Sequence, residues 1–295
     1  MTDSERLAIR AFFDEATNTI SYLVWDRETM KAAVIDPVLD YDNRSGRAST
    51  HSADAILEAA KAEGVELEWI LETHAHADHL SAAPHIKRAT GARIGIGEHI
   101  TDVQGIFGPF FNLDNVSGDG AEFDHLFRDG ETFRIGGLTV EVMHLPGHTP
   151  ACIAYHVEDA VFVGDTIFMP DYGTARADFP GGDARTLYRS IQRLLSLSDE
   201  TRLFMCHDYK APGRDEYAWE TTVGAEKENV HLAGKGEDDF VAWREERDAG
   251  LAAPMLLLPS IQTNIRAGRL PDPEANGTRY LKLPITLANT DDSSA

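Results

Sequence analysis

The run Thr73-His74-Ala75-His76-Ala77-Asp78-His79 constrains this chain more than any other stretch. It sets three imidazoles and a carboxylate within six residues, directly after the apolar, strand-like run Leu67-Glu68-Trp69-Ile70-Leu71. Along an extended backbone, alternation puts His74, His76 and Asp78 on one side. A turn at Ala77-Asp78 then swings His79 toward the same point. Imidazole and carboxylate together suit zinc, iron or manganese. The plainer reading is a polar loop that carries histidines by chance.

That plainer reading weakens because three more ligand-type residues follow at similar junctions. They are His148 in Leu145-Pro146-Gly147-His148-Thr149, Asp165 in Val161-Phe162-Val163-Gly164-Asp165-Thr166, and His207 in Leu203-Phe204-Met205-Cys206-His207-Asp208. Each ends or follows an apolar run that reads as a buried strand. Taken singly, a histidine after a strand is more often structural, and an Asp after Gly is more often a turn former. Gly147 and Gly164 allow the sharp backbone paths that a crowded site needs. Together the junctions describe one site assembled from several strand ends.

In order and type these motifs resemble the metallo-β-lactamase superfamily, over about residues 19–210. The resemblance implies an α+β fold, an αββα sandwich of two mixed β-sheets flanked by helices. Antibiotic-hydrolysing lactamases of the best-known type carry Cys where this chain has Asp165. Glyoxalase II-type thioesterases and persulfide dioxygenases carry Asp. The segment from Met169 to Tyr188 and the run Cys206-His207-Asp208-Tyr209-Lys210 look like the dioxygenases. The tail from Leu258 to Pro271 resembles the bacterial "β-lactamase hydrolase-like" branch and differs from the helical substrate domain of a glyoxalase II.

What the resemblance implies for the residues is specific. His74, His148 and Asp165 match the ligands of one Fe(II) per chain. His76, Asp78, His79 and His207 match positions that complete a two-metal site in the hydrolases, and in the dioxygenases they surround the iron or line a vacant site. The implied reaction oxidises glutathione persulfide with O2 to sulfite and glutathione. Two neutral imidazoles and one carboxylate on one face of a metal leave open positions opposite. Zinc neither gives nor accepts electrons, so this reading requires iron. Glutathione is anionic, and Arg176, Lys210 and Arg214 are the expected basic contacts, with Tyr172 and Tyr209 beside them. Two other readings stay open: a glyoxalase II-like thioester hydrolase with a dinuclear site, and a non-catalytic metal-binding module.

Composition narrows the partners. With 49 acidic against 27 basic residues the formal net charge is -22, which argues against a nucleic-acid or anionic-membrane surface. An anionic substrate therefore needs local basic groups. No stretch approaches the roughly 20 apolar residues of a membrane span. The first residues read neither as a secretory signal nor as a transit peptide. Only Cys152 and Cys206 are present, so no disulfide framework is expected and the expected location is cytoplasmic. A homo-oligomer is left open. Both cysteines are expected to be buried small residues, with Cys206 facing away from His207. The other histidines, at 51, 85, 99, 125, 144, 156 and 231, lack partner motifs.

Strands are expected over 19–26, 31–38, 67–73, 92–96, 131–135, 138–144, 152–158, 160–164 and 202–206. Helices are expected over 52–63, stopped by Gly64, and over 81–90, 183–197 and 238–248. Residues 108–130 read as a loop that could border the site. The expected organisation is a catalytic domain over 1–235 and, over 236–295, an extension packed on the same domain.

Overall fold

Alternation along the central strands sends side chains to two different cores. In the strand Thr19–Asp26, which is buried at every position, Ile20, Tyr22 and Val24 face one core while Leu23 and Trp25 face another. A strand covered on both faces needs apolar residues at both parities, and this one has them. The computed structural model describes residues 6–286.

One six-stranded sheet runs in the order β1 (Leu7–Asp14), β2 (Thr19–Asp26), β3 (Lys31–Ile35), β6 (Glu66–Leu71), β8 (Arg93–Gly97) and β9 (His125–Phe127). Its first three strands pair antiparallel and the rest parallel. A small sheet joins β5 (Arg47–Ser49), β4 (Val38–Asp42) and β7 (Leu80–Ser81). The other six-stranded sheet runs β10 (Thr132–Ile135), β11 (Leu138–His144), β12 (Ile153–Val157), β13 (Ala160–Phe162), β14 (Arg202–Phe204) and β15 (Glu220–Thr222). Only β13 and β14 pair parallel there.

The large sheets enclose a core of Ile20, Tyr22, Trp69, Val140, Tyr155 and Phe162, among others. Helices α1 (His51–Glu63), α2 (Ala83–Thr90) and α3 (Ile100–Phe110) cover the outer face of the first sheet through Ile56, Ile86 and Phe107. Helices α4 (Ala184–Leu195), α5 (Val223–Glu226) and α6 (Glu237–Asp248) cover the second through Leu187, Val223 and Phe240. This is the αββα layering expected. The last helix, α7 (Leu257–Asn264), packs on the first sheet's side through Ile261. No helix among the described residues is long and apolar enough to cross a membrane.

One expectation needs correction here. Residues 108–130 do not border the site: α3 runs through Phe110, β9 adds a strand at the sheet edge, and the intervening loop meets the C-terminal segment, where Arg266 donates to Asn115 and Lys282 to the Asn112 carbonyl. Gly105, Gly108 and Pro109 hide the helical pattern, because none is a good helix former. In the C-terminal extension, α7 has six consecutive buried residues from Pro259 to Asn264.

Candidate metal centre

Residues 72–79 leave β6 as a bent loop and not as the extended segment expected. Asp36, just after β3, imposes the bend. Its carboxylate accepts from the Thr73 amide at 2.7 Å, the Thr73 hydroxyl at 2.9 Å and His76 Nε2 at 2.9 Å. Gly164 approaches the same threonine at positive φ, and a Cβ there would lie 2.7 Å from Thr73 Oγ1. Gly147 passes α4 as closely: its Cβ would meet the Leu187 backbone at 2.3 Å.

The seven residues singled out come together as two groups. Ligand-type atoms of His74, His148 and Asp165 lie within 4.8 Å of one another, and so do those of His76, Asp78, His79 and His207. Asp165 Oδ2 is 3.9 Å from His74 Nε2 and 3.7 Å from His148 Nε2. His207 Nε2 lies between the groups, 3.3 Å from Asp165 Oδ1 and 3.2 Å from Asp78 Oδ2.

These residues fit a cation on two grounds. Buried atoms left without a hydrogen-bond partner include His74 Nε2, His76 Nδ1, Asp78 Oδ2, His79 Nε2, Asp165 Oδ1 and His207 Nε2. Unpaired buried polar atoms are costly and rare, and six converging on one place call for a ligand. Second, burial pushes His74 and His76 well below the ordinary histidine range, which keeps both neutral as metal ligation requires. Burial would raise Asp78, but the facing His207 holds it well below the usual carboxylate range. Burial raises Asp165.

Neighbouring groups orient the rings. His148 Nδ1 donates to the Arg176 carbonyl at 2.8 Å, leaving Nε2 toward Asp165. His74 Nδ1 lies 3.0 Å from Thr73 Oγ1. Cys206 departs from its expected direction: Sγ lies 3.7 Å from Asp36 Oδ2, and the thiol joins the cluster of Asp165 and His207. The strand β14 ends at Phe204 and the backbone bends at Cys206, so alternation no longer governs it.

A cavity of about 550 Å³ opens over Asp78, His148 and Asp165. Tyr172 and Tyr209 line it with their rings 5.3 Å apart, next to Phe168. Arg176 also lines it, but its fork is closed on Asp178 at 2.6 and 2.7 Å and on the Ala252 carbonyl at 2.7 Å. Lys210 and Arg214 are absent from the lining. Lys210 sits over the Tyr217 ring, and Arg214 bridges Asp171 and Asp208. Sequence reasoning missed Arg44, Arg247, Leu251, Ala252 and the run from Pro254 to Leu256, all lining the cavity. It also missed His231, which lines the cavity while accepting from the Thr174 amide. Among the other unassigned histidines, His85 pairs with Asp54, His99 with Asp102 and His125 with Glu131.

A family model described as the metallo-beta-lactamase superfamily matches residues 16–207. A Burkholderia pseudomallei protein called a probable metallo-hydrolase is 54% identical over 95% of this chain and 99% of its own. The human mitochondrial persulfide dioxygenase ETHE1 is 29% identical over 69% of each chain. The crystal structure of ETHE1 from Myxococcus xanthus superposes with a TM-score of 0.72 at 30% identity, covering 89% of this chain and 100% of that one.

Proposed function

The chain belongs to the metallo-β-lactamase superfamily, and from that premise we propose that it is a mononuclear non-haem iron persulfide dioxygenase. Its reaction would oxidise glutathione persulfide with O2 and water to sulfite and glutathione. The observation that carries the reading is the distinct group of two histidines and one carboxylate, His74, His148 and Asp165, two of which face the cavity. Likeness to the human persulfide dioxygenase supports it.

In this reading iron, held by His74, His148 and Asp165, supplies the redox capacity toward O2 that zinc lacks. The chain's own residues do the rest. The Arg176 carbonyl fixes the His148 tautomer, as second-layer partners of metal-binding histidines do. Phe168, Tyr172 and Tyr209 give the cavity an aromatic wall that restricts water beside the reacting sulfur. Anion recognition falls to Arg44 and Arg247, because neither makes an ion pair among the described residues while the Arg176 fork is occupied. Arg44→Ala and Arg247→Ala are each expected to raise KM for glutathione persulfide about tenfold with kcat and iron content unchanged. Steady-state kinetics on iron-matched samples check this, and unaltered KM in both variants would return the role to Arg176.

A second reading, a thioester hydrolase with a dinuclear site, is favoured by the unpaired atoms of His76, Asp78, His79 and His207 and by the name of the Burkholderia relative. Elemental analysis of anaerobically purified protein, with oxygen uptake on glutathione persulfide, separates the two. About one iron per chain with oxygen uptake is expected. Two zincs per chain, with activity retained after iron removal, would replace the dioxygenase by the hydrolase.

A further inference from the structure

The C-terminal segment, beyond the family-matched residues 16–207, reaches the metal-binding loop through one side chain. Asn264, the last residue of α7, is 4% exposed. Its Nδ2 donates to the carbonyls of His76 and His79, both at 2.8 Å, and its Oδ1 accepts from the Ser81 amide at 2.9 Å. One carboxamide thus spends both donor hydrogens on the loop that carries four candidate ligands and its acceptor on β7, which follows that loop. Aspartate lacks the donors, and alanine lacks all three contacts.

The segment is seated firmly enough to act as a clamp. Ile261, Ile265 and Ala267 are buried in the core shared with α1 and α2. Gly268, at positive φ, passes so near the loop that a Cβ would lie 2.6 Å from the Ser81 carbonyl oxygen.

We propose that Asn264 is a positioning residue of the metal centre. It holds the backbone of His76 and His79 so that their rings meet Asp78 and His207, which makes the C-terminal segment an integral part of the site. The inference requires that the loop carrying His74, His76, Asp78 and His79 shapes the metal centre, whether His76, Asp78 and His79 ligate a second ion or surround a single one held in part by His74, so it does not depend on the choice of reaction.

The test uses the full-length, metal-free protein titrated with Co²⁺, reading the dissociation constant, the ligand-field absorption spectrum and thermal stability. Gln262→Ala is the control. Gln262 exchanges hydrogen bonds of 2.8 Å with the Lys282 backbone and donates to Leu258, without touching the metal loop. Asn264→Ala and Asn264→Asp are expected to weaken Co²⁺ binding roughly ten- to hundredfold and to shift the spectrum. Gln262→Ala should lower stability and leave both unchanged. If Asn264→Ala only lowers stability, with wild-type affinity and spectrum, the proposal is overturned. Should that variant not fold, Asn264→Ser replaces it, with the same weakening expected and wild-type binding again overturning the proposal.

Discussion

Asp165→Ala is expected to empty the metal centre and reduce activity to background. Asp165 is the candidate ligand whose carboxylate faces three histidines, Oδ2 toward His74 and His148 at 3.9 and 3.7 Å and Oδ1 toward His207 at 3.3 Å. Structural zinc sites bind with about 10–16 kcal/mol shared over four ligands, so one ligand is worth on the order of 3 kcal/mol, more than a hundredfold in affinity. Its loss also leaves His207 facing Asp78 alone. Metal analysis of the purified variant beside oxygen uptake checks the result. His207→Ala is the informative partner: with one metal, it should retain much of the iron, because there it only orients Asp165. Equal loss of metal in both variants would instead make His207 a ligand and favour the two-metal hydrolase.

The second large effect concerns stability. Arg244 is 1% exposed and Asp248 4%, one helical turn apart on α6, and they form a buried ion pair. Asp248 also accepts from the Ala177 amide at 2.8 Å, and Arg244 NH1 reaches the Thr174 carbonyl at 3.3 Å. Asp248→Ala strands a guanidinium in the interior, which typically costs about 3–5 kcal/mol. For a chain of this size that lowers Tm by about 10 °C. The double variant Arg244→Met with Asp248→Leu should recover most of the loss, since replacing both partners by apolar groups is often neutral. Thermal melts of the three proteins decide it. A fall of only a degree or two in Asp248→Ala would mean that the pair is hydrated.

What could be read from the sequence divides along physical lines. The candidate ligands were legible as a cluster because metal chemistry restricts residue type and because each sits where an apolar strand ends. The layering was legible through the family resemblance that these motifs carry, and β2 and β3, apolar at both parities, agree with it. The bend at 72–79 was not, since Asp36, which causes it, lies 37 residues from Thr73 and carries no local signal. Cys206 was misdirected for a related reason: β14 stops two residues before it, and alternation was carried past its end. Arg176, Lys210 and Arg214 are all basic and near the site in sequence, yet each is engaged by groups inside the protein. Arg44 and Arg247 carry no motif at all, and only folding brings them to one wall. Asn264 acts across 183 residues on Ser81, beyond any periodicity.

The cavity wall built by Arg247, Leu251, Ala252 and the run from Pro254 to Leu256 lies in the same segment as Asn264, outside the matched residues. On the roles proposed here for the wall and for Asn264, selectivity and metal retention are carried on one stretch of chain and inherited together. Grafting this segment from a relative would alter which molecule fits the cavity and, in the same exchange, replace the clamp on the ligand loop. Evolution along this chain can vary the wall freely only while the carboxamide at 264 stays in register.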